Sequence, residues 1–241
     1  MLTLNSTATV GQWVTAHPEA ARAFEELQVD YCCGGQTTLA KVCQQKDLDV
    51  EDVLAQLTRT IADAKNEPAE DWSCKPLGEL CDHIEQTHHV FLRNELPRLS
   101  ELVEKVVRAH GAGHPELVEL QAVFNALRAE LEPHMFKEEH ILFPAIRQLE
   151  ASDDLPQFPF GTIGNPIRMM EHDHDAVGNA LRHIRELTAD FQPPLDACNT
   201  WRVMLDSLRR LEADTHRHVH KENNILFPQA QLLEASRSPH A

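Results

Sequence analysis

The sequence predicts an all-α protein: a small helical module at the N-terminus, followed by a four-helix bundle. Three observations carry this expectation. First, His134-Met-Phe-Lys-Glu138-Glu-His-Ile-Leu-Phe-Pro144 returns 84 residues later as His218-Val-His-Lys-Glu222-Asn-Asn-Ile-Leu-Phe-Pro228. A match that long within one chain reads as a duplicated unit. Second, apolar residues recur at helical spacing on both sides of that unit. Third, 42% of the 241 residues are hydrophobic, enough to build a core, so disorder is not the default.

The elements follow in order. Within residues 1–64, helix-compatible patterns cover Val10 to His17, Glu19 to Leu27, Leu39 to Lys46 and Val50 to Ala64. Asp49 can cap the fourth, with Asp52 three residues on as a partial capping box. Between the second and third lies Asp30-Tyr-Cys-Cys-Gly-Gly35, where the paired glycines force a turn. Residues 65–75 read as a linker, polar from Lys65 to Asp71.

Residues 76–235 read as the bundle, with long helices near 77–109, 115–149, 166–190 and 196–234. Pro97, Pro144 and Pro228 stand against unbroken helices, because proline removes a backbone hydrogen bond. Pro144 and Pro228 occupy equivalent places, which predicts matched kinks or ends. The loop Ala151 to Asn165 joins the halves and is long enough to cross over the bundle. Gln192-Pro-Pro194 breaks the chain before the last helix. Residues 236–241 are expected to be a loose tail.

Residues four apart share a helix face, so each copy of the repeat presents an imidazole beside a carboxylate. Each half offers a further histidine: His89 lies 45 residues before His134, and His174 lies 44 before His218. The candidate set is thus His89, His134, Glu138, His174, His218 and Glu222, with approximate twofold symmetry. Periodicity supports it. Met170, His174, Val177, Leu181 and Ile184 form one stripe. Leu127, Leu131, His134, Glu138 and Ile141 form a second; Leu208, Leu211, Thr215, His218, Glu222 and Ile225 form a third. The ligand candidates point where the apolar residues point, and polar groups there need a partner such as a metal.

The first long helix stays ambiguous. Leu77, Leu80, Ile84, His88 and Phe91 form one stripe, and His89, Leu92, Leu96 and Leu99 another. His172, His216 and His220 fall on other faces and are expected to be exposed.

If the carboxylates bridge, each of two metals receives two nitrogens and two oxygens, with positions left open. That ligation suits non-haem iron, with manganese as a substitute. An isolated His–Glu pair four apart is ordinarily a surface contact worth about 0.3 kcal/mol. The duplication argues otherwise here. The spacing is not HExxH, so it does not indicate a zinc peptidase.

The formal net charge of −16 argues against nucleic acid and anionic membranes as partners. No leader opens the chain and no run of about 18 apolar residues occurs, so neither secretion nor a membrane span is expected. The six cysteines form no CxxC pair, which suits a reducing cytoplasm. Cys32 and Cys33 are either two small buried hydrophobes or a redox or soft-metal pair. Adjacent cysteines make a poor structural disulfide, and the neighbouring glycines are expected to expose both thiols to another molecule. Cys43, Cys74, Cys81 and Cys198 are expected to be packing residues.

On these residues the chain resembles the repair-of-iron-centres di-iron proteins, the YtfE/ScdA type. The N-terminal part is similar to a ScdA-type domain through Asp30 to Gly35 and Thr38-Leu-Ala40. The C-terminal part resembles hemerythrin through Asp82-His-Ile84, Glu95-Leu-Pro97, His134 to Glu139, Ile141 to Pro144, Glu171 to Asp175 and His218 to Pro228. The resemblance selects His89 over His88. It implies two iron ions held by the six candidates, with Glu138 and Glu222 bridging alongside an oxo or hydroxo group. It also implies restoration of iron–sulfur clusters damaged by nitric oxide or peroxide, with iron donated to the damaged proteins. NO or O2 would be small ligands, and self-association follows by family analogy. Cys32 and Cys33 would carry iron or an electron transiently. Two rival readings remain: a nitric oxide-reducing enzyme, and an O2/NO-binding sensor. Extra histidines at 88, 140, 172, 216 and 220 depart from the family pattern.

Overall fold

A computed structural model describes residues 5–64 and 71–237. Among them the only β-type pairings are isolated bridges, Thr9 with Thr38 and Phe158 with Gly161. The rest is helix and turn. No helix among the described residues is long and apolar enough to cross a membrane. The chain forms two compact units: residues 1–81, 149–156 and 216–241, and residues 82–148 with 157–215. Most of the expected linker (65–70) and most of the expected tail (238–241) lie outside the described residues.

In the first unit, α1 (Val10–Ala16), α2 (Ala20–Glu26), α3 (Leu39–Lys46) and α4 (Val50–Asp63) follow the sequence patterns. Thr9 and Gln12 close a capping box on α1. The Asp49 carboxylate accepts from the backbone N–H groups of Glu51 and Asp52, starting α4. Val10, Trp13, Phe24, Tyr31, Leu39, Val53 and Leu57 pack into one apolar core, which Val219 completes.

The second unit is a four-helix bundle. Its rods are α6 (Val90–His110), α7 (Glu116–Lys137), α9 (Gly164–Leu187) and the first part of α10 (Asn199–Lys221). All four feed one core, from Leu92, Leu96 and Leu99 through Phe124, Leu131 and Leu181 to Trp201 and Leu208. α5 (Leu77–Ile84) runs into α6, α7 into α8 (Phe143–Ala151), and α10 into α11 (Phe227–Arg237).

Each of those three junctions is a π-helical turn: Glu85–His89, Glu138–Leu142 and Glu222–Leu226. Such a turn holds one residue more than an α-turn. In the two repeats the N–H groups of Phe143 and Phe227 donate back to the carbonyls of Glu138 and Glu222. Pro144 and Pro228 follow immediately, where the surrounding ladder is already rearranged. They are matched interruptions, and the helices continue past them. Pro97 and Pro133 lie inside α6 and α7 and do not end them.

The π-turns also correct one expectation. Ile141 is not inward: it is 44% exposed, while Leu142, Phe143 and Ile146 are buried. The extra residue rotates the rod, so the apolar stripe resumes one position later. The same slip explains the two stripes of the first rod. Leu77, Leu80, Ile84 and His88 are buried before the turn, and His89, Leu92, Leu96 and Leu99 after it.

Candidate metal centre

His89 closes the first π-turn, Glu138 opens the second and Glu222 opens the third; His134 and His218 stand one helical turn ahead of the two carboxylates. His174 projects from α9. All six side chains are exposed by 1% or less. One donor atom from each of His89, Glu138, His218 and Glu222 lies within 4.8 Å of the others, and the same holds for His134, Glu138, His174 and Glu222. Both carboxylates belong to both sets, and the imidazoles divide two and two.

The contacts are close. Glu138 Oε2 lies 3.3 Å from His89 Nε2, and Glu138 Oε1 lies 3.1 Å from His134 Nε2. Glu222 Oε1 is 3.0 Å from His218 Nε2, and the Nε2 atoms of His134 and His174 are 3.1 Å apart.

Flanking carboxylates orient two of the rings. His89 Nδ1 donates to Glu139 Oε1 at 2.6 Å, and Arg93 holds the same oxygen. His134 Nδ1 faces Asp173 Oδ2 at 3.4 Å, and Lys137 pairs with that carboxylate. The His134 imidazole, helped by the Lys137 ammonium, holds the Asp173 carboxyl down at about 2 against the effect of burial. An ionised carboxylate only accepts, so the proton of each ring sits on Nδ1 and Nε2 carries a lone pair. Nitrogen lone pairs then face carboxylate lone pairs in the interior. Cations between them turn that repulsion into coordination, and histidines oriented through the other ring nitrogen are the usual companions of a metal. The donor set therefore fits paired, non-haem metal ions.

Residues 81–230 match the hemerythrin HHE cation binding domain, and residues 6–60 match ScdA_N, a domain of unknown function. The chain is 37% identical to the iron-sulfur cluster repair protein YtfE of Yersinia pseudotuberculosis over 92% of its length and 96% of that relative. The YtfE proteins of Pectobacterium carotovorum and Yersinia pestis give the same identity and coverage. The chain belongs to the YtfE family.

For a YtfE-type chain the two adjacent histidines have separate surroundings. His89 enters a donor set, whereas His88, also buried, turns its Nδ1 to Asp214 at 3.0 Å. His172 and His140 are exposed and His216 is half-buried, but His220 is only 4% exposed. That corrects the expectation for His220. Burial pushes its imidazole down to about 4, and its ring meets the edge of Tyr31 at 5.7 Å.

The cysteine expectations also change. Cys32 is buried and Cys33 half-buried, so the glycines do not lay the thiols open. Neither Gly34 nor Gly35 needs a left-handed backbone. Gly35 is required by close approach: a Cβ there would stand 2.3 Å from Asn224 Oδ1, within the same unit. A hydrogen bond with Cys33, and then burial, push the Cys32 thiol well above its ordinary range. Asp30, Cys32 and Cys33 bring donor atoms within 4.8 Å of one another. Cys74 and Cys198 are exposed and do not pack, while Cys43 and Cys81 do.

The flanking partners Glu139, Arg93, Asp173 and Lys137 were not singled out by the sequence reasoning. One signal was available: Glu139 in the first copy is Asn223 in the second, an asymmetry inside an otherwise repeated motif.

Proposed function

We propose that this chain carries a di-iron centre and restores iron–sulfur clusters damaged by nitrosative or oxidative stress, by donating iron to the damaged proteins in a reducing cytoplasm. The observation that carries the reading is the buried set of four imidazoles and two carboxylates, in which the Nε2 lone pairs of His89 and His134 face the Glu138 carboxylate. His89, His134, His174 and His218 would be terminal ligands. Glu138 and Glu222, each shared by both donor sets, would bridge.

Bound there, the metal pair supplies exchangeable ferrous iron and open coordination positions for a small ligand such as NO or O2. The protein's own groups set the terms. Imidazole and carboxylate hold ferrous iron less tightly than thiolate does, so iron passes downhill to a damaged site whose thiolates are free. Protonation of a ligand histidine favours release, since only the neutral ring binds metal. Glu139 and Asp173 fix the Nδ1 proton of His89 and His134, leave Nε2 to the metal and raise its strength as a ligand. Cys32 and Cys33, beside Asp30, would take up iron transiently.

Metal analysis with optical and EPR spectra on purified protein tests the centre. Two irons per chain are expected in the wild type, with both lost in Glu138→Ala and in Glu222→Ala. Retention of the full complement in either variant refutes the assignment. Restoration of a nitric oxide-damaged cluster by the iron-loaded protein tests the role. Catalytic nitrous oxide from reduced protein and nitric oxide would replace donation by reduction.

A further inference from the structure

The two copies of the repeat differ at the positions that reach the cysteine loop. His220 and Asn224 stand where the first copy has Phe136 and His140. In the first copy that pair stacks on itself, ring centroids 4.0 Å apart, with Phe136 58% exposed. In the second copy both side chains turn onto residues 31–36 of the same compact unit. Asn224 Nδ2 donates to the carbonyls of Cys32 at 3.0 Å and Tyr31 at 3.4 Å, and Gln36 Nε2 donates to Asn224 Oδ1 at 3.4 Å. His220 Nδ1 faces the Tyr31 carbonyl at 3.4 Å. Gly11 and Gly35 leave the space that Asn224 occupies: a Cβ on either would come within 2.4 Å of its Oδ1.

Asn224 also lies in the π-turn that Glu222 opens. The backbone that aims the carboxylate therefore aims the amide. Movement of that turn pulls on the two carbonyls that bracket Cys32, whose thiol is bonded to Asp30 Oδ1 at 3.2 Å.

We propose that Asn224 is a positioning residue that ties the Cys32 thiol to the state of the Glu222 turn: with Glu222 engaged by a metal, Asn224 would hold the loop closed over Cys32, and with Glu222 released it would let the loop open. This rests on the metal reading of Glu222. It deepens that reading by supplying order to the transfer, since the thiol becomes available when iron leaves.

Alkylation by iodoacetamide, followed peptide by peptide in the full-length protein at measured iron content, tests the proposal. Iron-loaded wild type should label slowly at Cys32. Asn224→Ala at the same iron content should label about tenfold faster, the scale of losing two hydrogen bonds. Gly35→Ala, which crowds Asn224 from the loop side, should do likewise. Chelated wild type should move toward the same rate. Cys43, buried in the same module and untouched by Asn224, should label at one rate throughout.

Equal Cys32 rates in wild type and Asn224→Ala overturn the proposal. So does a Cys43 rate that rises in step with Cys32, which would mean that the whole module unfolds. If wild type binds iron but labels alike with and without it, the coupling fails and the metal reading stands. If wild type takes up no iron, both fail together.

Discussion

The two copies of the repeat share seven letters, including the histidine, the carboxylate and the Ile-Leu-Phe-Pro ending, yet they meet different surroundings. The first keeps its outer positions in water: Phe136, His140 and Ile141 are exposed. The second turns the equivalent positions, His220, Asn224 and Ile225, away from solvent against its own unit. Of the shared letters, the histidine and the carboxylate enter the donor set. The letters that differ are those that meet something else. Inside a duplicated motif, identity marks the common chemistry and divergence marks what each copy leans on.

The largest expected effect that sharpens this contrast is a paired charge substitution. Ile225 is 5% exposed, so Ile225→Lys buries an unpaired ammonium and should cost more than about 4 kcal/mol or prevent folding. Ile141→Lys should stay within about 0.5 kcal/mol, as surface changes do. Denaturant titration of both decides, and equal losses would break the comparison.

The next concerns the orienting carboxylate that only the first copy has. Glu139→Ala frees His89 Nδ1 and should weaken iron affinity roughly 10–100-fold, while Asn223→Ala should leave it nearly unchanged. Competition with a chelator measures both.

A third prediction exchanges the outer pairs. His220→Phe with Asn224→His forces bulk against Gly11 and Gly35 and should destabilise by about 1–3 kcal/mol. The reverse exchange, Phe136→His with His140→Asn, should be neutral within about 0.5 kcal/mol.

The smallest effect lies at the other end of the bundle, and calibrates pH behaviour away from the donor set. His114 is held by Asp196 and Glu116, which raise its pKa in the fold. A raised imidazole stabilises below its unfolded value, near 6.5, and that contribution fades as pH rises through the folded value. His114→Gln should therefore narrow the difference in melting temperature between pH 6 and pH 8. An unchanged pH dependence would remove His114 from the account.

Much of this was legible in the sequence. Five of the six candidate donors were readable because repeat and period coincide, so they lie in phase with Leu131, Val177 and Leu211; His89 came from the family resemblance. The helices of the N-terminal module were readable from ordinary caps such as Asp49. What stayed hidden is what a single period cannot express. A one-residue slip at Glu85–His89 made His88 and His89 look interchangeable, and the slip after Glu138 sent Ile141 to the wrong face. His220 was hidden because its burial comes from residues nearly two hundred positions earlier, and no local pattern reports that contact.

The π-turns bear on any attempt to transplant the donor set. Each surplus residue advances everything downstream by about 100°. A helical wheel drawn from one end of such a rod therefore mislabels the other end. A straight designed scaffold given the same six side chains at the same sequence intervals would aim the residues beyond each carboxylate at solvent, so a faithful graft must copy the insertion as well as the ligands.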